Sequence, residues 1–129
     1  MNATDATNFS PAVLRYRAGT TEQCLADPAI EHERQIVRIL RPQGSAEDVP
    51  FSLLKAVFFL PQDGGSRPAA EIEGSTLTVE FADGERIRGT SPEYNPARAG
   101  FFLYPADRTR NDRIFVVTSA IVSIDVEKL

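Results

Sequence analysis

Thr76-Leu-Thr-Val-Glu-Phe-Ala-Asp-Gly-Glu-Arg-Ile-Arg-Gly89 decides the fold. Leu77, Val79, Phe81 and Ile87 are apolar at every second position, while Thr76, Thr78, Glu80, Arg86 and Arg88 take the other face. Alternation of this kind is the signature of a half-buried strand, and Asp83-Gly84 between the two arms supplies a tight turn, so the stretch is a β-hairpin.

Reading outward, the same pattern recurs. Ala12 to Tyr16 and Thr20 to Leu25 flank Arg17-Ala18-Gly19 as a second, weaker hairpin. Ile36 to Leu40, Val49 to Phe51 and Lys55 to Leu60 follow as strands, the last apolar on both faces and therefore buried on both sides or covered by a neighbour. Pro50 suits an edge or a bulge. Beyond the hairpin come the strands Phe101 to Tyr104, Ile114 to Val117 and Ile121 to Val126, with Thr118-Ser119-Ala120 as a short corner.

Aligned on their turns, the halves superimpose. Leu14 to Gly19 falls on Val79 to Gly84 with a step of 84 − 19 = 65, and Ala56-Val57-Phe58 falls on Ala120-Ile121-Val122 with a step of 120 − 56 = 64. This reads as an ancient duplication. The expected organisation is a flexible lead over 1–11, a first repeat over 12–60, a Gly/Ser/Pro-rich linker or long loop over 61–75, and a second repeat over 76–129.

Each half then offers a hairpin, a third and a fourth strand, a one-turn corner and a fifth strand. That order resembles an SH3-like or Sm-like small barrel. The expected fold is all-β, with two tandem antiparallel barrels packed together, because a single barrel of about 50 residues is marginal alone. The segments 79–89, 100–107 and 113–117, with Tyr94 and Asn111, also resemble a poorly characterised bacterial domain family, and Leu54 to Phe59 resembles that family's other half. The resemblance implies company with response-regulator, PilZ-type and type IV pilus or secretion components, in a regulatory or docking role. It supplies no catalytic residues.

Bulk properties narrow the chemistry. With 129 residues, 42% hydrophobic content and a net charge of −4, the chain has enough apolar material for a core and no general attraction for nucleic acid. No run approaches the roughly 18 apolar residues of a membrane span, and the first ten residues lack the features of a signal peptide, so we expect no membrane insertion and a cytoplasmic location. Cys24, the single cysteine, fits a reducing compartment and reads as a core residue. The twelve arginines, against Lys55 and Lys128 alone, favour planar contacts to carboxylate or phosphate, a bias that a GC-rich genome also produces.

No cofactor or metal is expected. Structural zinc takes about four Cys or His ligands, and Cys24 and His32 are all the chain has. Nothing orients those two as a nucleophile and base, and Asp63-Gly64-Gly65-Ser66 lacks the Lys-Ser/Thr of a phosphate loop. We therefore expect no enzyme.

Two binding surfaces suggest themselves. Arg108, Arg110 and Arg113, with Arg98 and Tyr94 on the preceding turn, form an arginine and aromatic set suited to an acidic partner or to nucleic acid, although Asp107 and Asp112 in the same loop are placed to neutralise it. Arg34 and Arg38 have the Arg-x-x-x-Arg spacing of PilZ domains, and Asn95 to Gly100 partly resembles their second turn with Ala97 in place of serine. That resemblance implies a cyclic dinucleotide, and a sensor binding either a cyclic dinucleotide or single-stranded nucleic acid is the alternative reading of the chain. Protein docking, through a sheet edge or through these loops, is the leading expectation, with homo-oligomers open.

Overall fold

The structure is a computed structural model describing residues 9–61, 73–105 and 111–127. It is all-β. Ten strands run in chain order: β1 Ser10–Tyr16, β2 Thr21–Ala26, β3 Ile36–Leu40, β4 Ala46–Pro50, β5 Leu54–Phe59, β6 Ser75–Phe81, β7 Arg86–Ser91, β8 Gly100–Pro105, β9 Arg113–Val117 and β10 Ile121–Glu127. One 3-10 turn, Phe51–Leu53, joins β4 to β5, and another, Thr118–Ala120, joins β9 to β10. The linker expected over 61–75 lies outside the described residues except at 61 and 73–75, as does the lead except at 9–11.

All pairings are antiparallel, and they form one sheet in the order β10-β6-β7-β8-β9-β5-β1-β2-β3-β4. The expectation of two barrels is corrected to a single continuous sheet that does not close. The reason lies in the middle: β5 of the first half pairs with β9 of the second, Ala56 opposite Val116 and Phe58 opposite Ile114. That pairing joins the halves by backbone hydrogen bonds as well as by packing.

The register displays the repeat. β1 and β6 differ by 75 − 10 = 65, and so do β2 and β7 by 86 − 21 = 65. For the fourth strands, 3-10 turns and fifth strands the step is 67, as 121 − 54 shows, which corrects the 64 expected from sequence. The loop between β8 and β9 is longer than Arg41–Ser45, its counterpart, and a comparison of apolar patterns does not see that insertion. Gly19 and Gly84 both take positive φ (102° and 93°) in equivalent turns, each closed by the same pair of backbone bonds. The bulge also repeats, with Lys55 skipped in the β1·β5 pairing and Val122 in the β6·β10 pairing.

Two cores lie on opposite faces of the β5·β9 pair. Val57, Phe59, Phe115 and Val117 face the first, whose other walls are β1 to β4. Ala56, Phe58, Ile114 and Val116 face the second, walled by β6 and β8. A strand apolar on both faces is thus explained: each half lends alternate side chains of one strand to the other half's core.

Candidate functional site

The two halves meet at the bulges, where a charged cluster forms. Lys55, only 7% exposed, donates from Nζ to Asp83 Oδ2 at 2.7 Å and to a Glu85 carboxylate oxygen. Arg15 donates Nη1 to both oxygens of Glu85 at 2.9 Å. Asp83 Oδ1 in turn accepts from the Glu85 backbone N–H at 3.0 Å, so the turn of the second hairpin is held by the strands of the first half. The Lys55 ammonium holds the Asp83 carboxyl below its usual range, and the backbone N–H of Glu85 adds to this. Lys55 also stands 4.8 Å over the Phe81 ring, and the Arg15 guanidinium 4.3 Å over Phe58.

Arg17 lies beside this cluster. Its Nε donates to Leu54 O at 2.9 Å and its Nη2 to Phe51 O at 3.2 Å, meeting carbonyls at the end of the 3-10 turn, and Nη2 also reaches Ser119 Oγ in the second half. Among the described residues Arg17 has no carboxylate partner.

Two clefts share Arg17. One, of about 240 Å³, is bounded by Lys55, Phe81, Asp83, Ser119 and Val122. The other, of about 480 Å³, is bounded by Tyr16, Thr20, Glu22, Ser52 and Leu53. They are the same place in the two repeats. Phe81 stands where Tyr16 does at a step of 81 − 16 = 65, and Ser119 where Ser52 does at 119 − 52 = 67. Leu53 (52% exposed) and Val122 (62%) rim the two clefts, and with Val126 they are the exposed large hydrophobics among the described residues. In the second cleft Tyr16 donates to Glu22 at 2.7 Å, and Arg41 pairs with Glu22 and Glu47. Burial, then the Glu22 hydrogen bond, pushes the Tyr16 phenol up to about 12.

The residues expected from sequence are distributed differently. Tyr94 packs edge-on against Phe101 at 5.0 Å, beside the second core. Arg98 donates Nη2 to His32 Nε2 at 3.1 Å and lies 3.8 Å from Glu93. Arg113 stacks over Phe102 at 4.9 Å and Phe59 at 5.5 Å, with Nε buried and lacking a hydrogen-bond partner among the described residues. Arg108 and Arg110 lie outside the described residues. Arg34 and Arg38 each pair with both Glu31 and Asp48.

Among the described residues there is no group of three or more His, Cys, Asp or Glu suited to a metal ion, and no helix long and apolar enough to cross a membrane. Cys24 is buried, and that burial pushes its thiol up to about 11.

Sequence reasoning missed Arg15, Arg17, Lys55, Asp83 and Glu85 as a group. The available signal was Lys55, a lone lysine in an otherwise apolar strand. Such a residue needs a carboxylate from elsewhere in the fold.

No curated protein and no solved structure matches the chain. A profile described as a family of unknown function (DUF6982) matches residues 11–128, and the chain belongs to that family.

Proposed function

We propose that this protein is a non-enzymatic docking module that grips an extended segment of another protein along the paired clefts at Arg17. One observation carries the reading: two repeat-equivalent clefts meet at an arginine that has no carboxylate partner among the described residues, and each has an exposed aliphatic at its rim. A segment with an acidic side chain between two apolar ones complements that pattern, its carboxylate meeting Arg17 and its apolar groups meeting Leu53 and Val122. The neighbouring charges support binding over proton transfer, since Lys55 is matched by two carboxylates and Asp83 is held ionised.

The finer readings belong with this proposal. Each half keeps the strand order fifth-first-second-third-fourth, which supports an SH3-like or Sm-like ancestry for the repeat unit. Regulatory company in a bacterial cytoplasm accords with the single reduced-type cysteine. A cyclic dinucleotide on Arg34 and Arg38 is less favoured, because Glu31 and Asp48 already neutralise both guanidiniums and would repel its phosphates.

The test is an array of extended peptides carrying Asp between two Leu residues at varied spacing, with Asn in place of Asp as the control. Binding to the wild-type protein, lost on Arg17→Glu and weakened by Leu53→Ser, is expected. Amide shifts should be confined to the two hairpin turns and the two 3-10 turns. Equal binding of the Asn series, or shifts centred elsewhere, would overturn the proposal.

A further inference from the structure

The sheet ends in two unlike edges. β10 carries Val122 and Val126, both exposed, and among the described residues its outer side pairs with nothing. β4, at the other end, presents Glu47 and Asp48 and closes on Pro50, which has no N–H to offer.

The repeat shows what an occupied edge of this kind looks like. β5, the counterpart of β10, is filled by β9, with Ala56 and Phe58 facing the other half's core. At the step of 67, β10 has Ser123 and Asp125 in those places, and β4 has Asp48 and Pro50 where β9 has Phe115 and Val117. Repeating the β5·β9 register between β10 of one copy and β4 of the next would set Asp125 against Glu47 and Ile124 against Asp48. Like charges directly opposite each other destabilise a strand pair, so head-to-tail growth is disfavoured.

A twofold pairing of β10 with itself has no such conflict. Antiparallel and centred on Ile124, it sets Asp125 against Ser123 of the partner and brings Val126 to the bulge at the partner's Val122. Both exposed valines are then brought together, no carboxylate faces another across the strands, and each chain still ends in a β4 edge that resists further addition. Closed twofold dimers of this type are the commonest oligomers.

We infer that a second copy of this chain occupies the β10 edge, through an isologous antiparallel β10·β10 pairing centred on Ile124. Val122 is shared with the rim of the first cleft, whereas Ser123 and Asp125 line neither cleft.

Sedimentation velocity on the full chain at low salt tests it, with variants confined to the two exposed polar positions. The wild type should sediment, at about 0.1 mM, as twice the 14.2 kDa monomer. Ser123→Lys sets a cation against Asp125 on both sides of the twofold axis, and also against the chain's own Glu80. It should tighten the dimer. Adding Asp125→Lys turns both pairs repulsive and should loosen it, each step by roughly 2- to 30-fold in Kd for two cross-strand charge pairs. Circular dichroism and melting temperature check that the variants stay folded. A wild-type monomer at that concentration, or a dimer indifferent to both variants, would overturn the assignment.

Discussion

Phe115 lies in the second half of the chain but fills the core of the first, and replacing it tests the central claim about the architecture. Its ring is fully buried, 5.3 Å from Phe51 and 5.4 Å from Phe102, with His32 edge-on at 5.9 Å. Truncating a buried Phe to Ala costs about 3–5 kcal/mol, and the loss of aromatic partners places Phe115→Ala near 4 kcal/mol. At roughly 2.1 cal/mol/K per residue, the 129 residues give an unfolding entropy of about 0.27 kcal/mol/K, so the melting temperature should fall by about 15 °C. Phe115→Leu keeps most of the volume and should cost about 1–2 kcal/mol, serving as the milder variant if the alanine form is too unstable. The assay is urea unfolding joined to hydrogen exchange read strand by strand. Exchange should quicken in β1 to β4, although the substitution lies in β9, and unfolding should remain a single transition. A loss confined to β8, β9 and β10, with β1 to β4 unchanged, would refute the shared-core account.

Three further outcomes follow from the packing and the titrating groups. A methyl group at Gly100 would sit on Phe115 Cζ and within 2.9 Å of Cε2, so Gly100→Ala should destabilise by about 1–3 kcal/mol, with Phe115→Leu recovering part of the loss in a double-mutant cycle. Burial and the adjacent Arg98 lower the His32 pKa, with Glu93 opposing them. The folded state therefore favours neutral imidazole, and this stability is complete above pH 6.5 and lost as pH falls toward the folded pKa. Denaturant midpoints at neutral and mildly acidic pH should differ more in the wild type than in His32→Gln. The Tyr16 phenol is raised to about 12, so its contribution is intact below pH 10 and lost as pH climbs toward 12; tyrosinate absorbance should show a late-titrating phenol that Tyr16→Phe removes.

Much of the fold is legible in the residues. Ile36–Leu40 is read to the residue, the Asp83-Gly84 turn falls where its chemistry places it, and Thr118–Ala120 is the corner its position suggested. β4 is harder: Ala46, Glu47 and Asp48 look like loop because the strand is a guarded edge whose polar residues lie in solvent. The candidate site was far less visible. The Arg-x-x-x-Arg spacing points to Arg34 and Arg38, which the fold occupies with Glu31 and Asp48, while Arg17 carries no local motif at all.

The division has a physical cause. Alternation and turn chemistry act over a few residues, so the sequence by itself determined most of the strands, their alternating faces and the repeated pattern that orders them. Which core covers a face depends on pairing between residues far apart in the chain, as Ala56 with Val116 or Lys55 with Asp83 and Glu85, and no local pattern encodes the partner. Only the tertiary structure decided that the halves exchange side chains through one sheet, that a lysine pins the second hairpin to the first half, and that the two edges of the sheet are unlike.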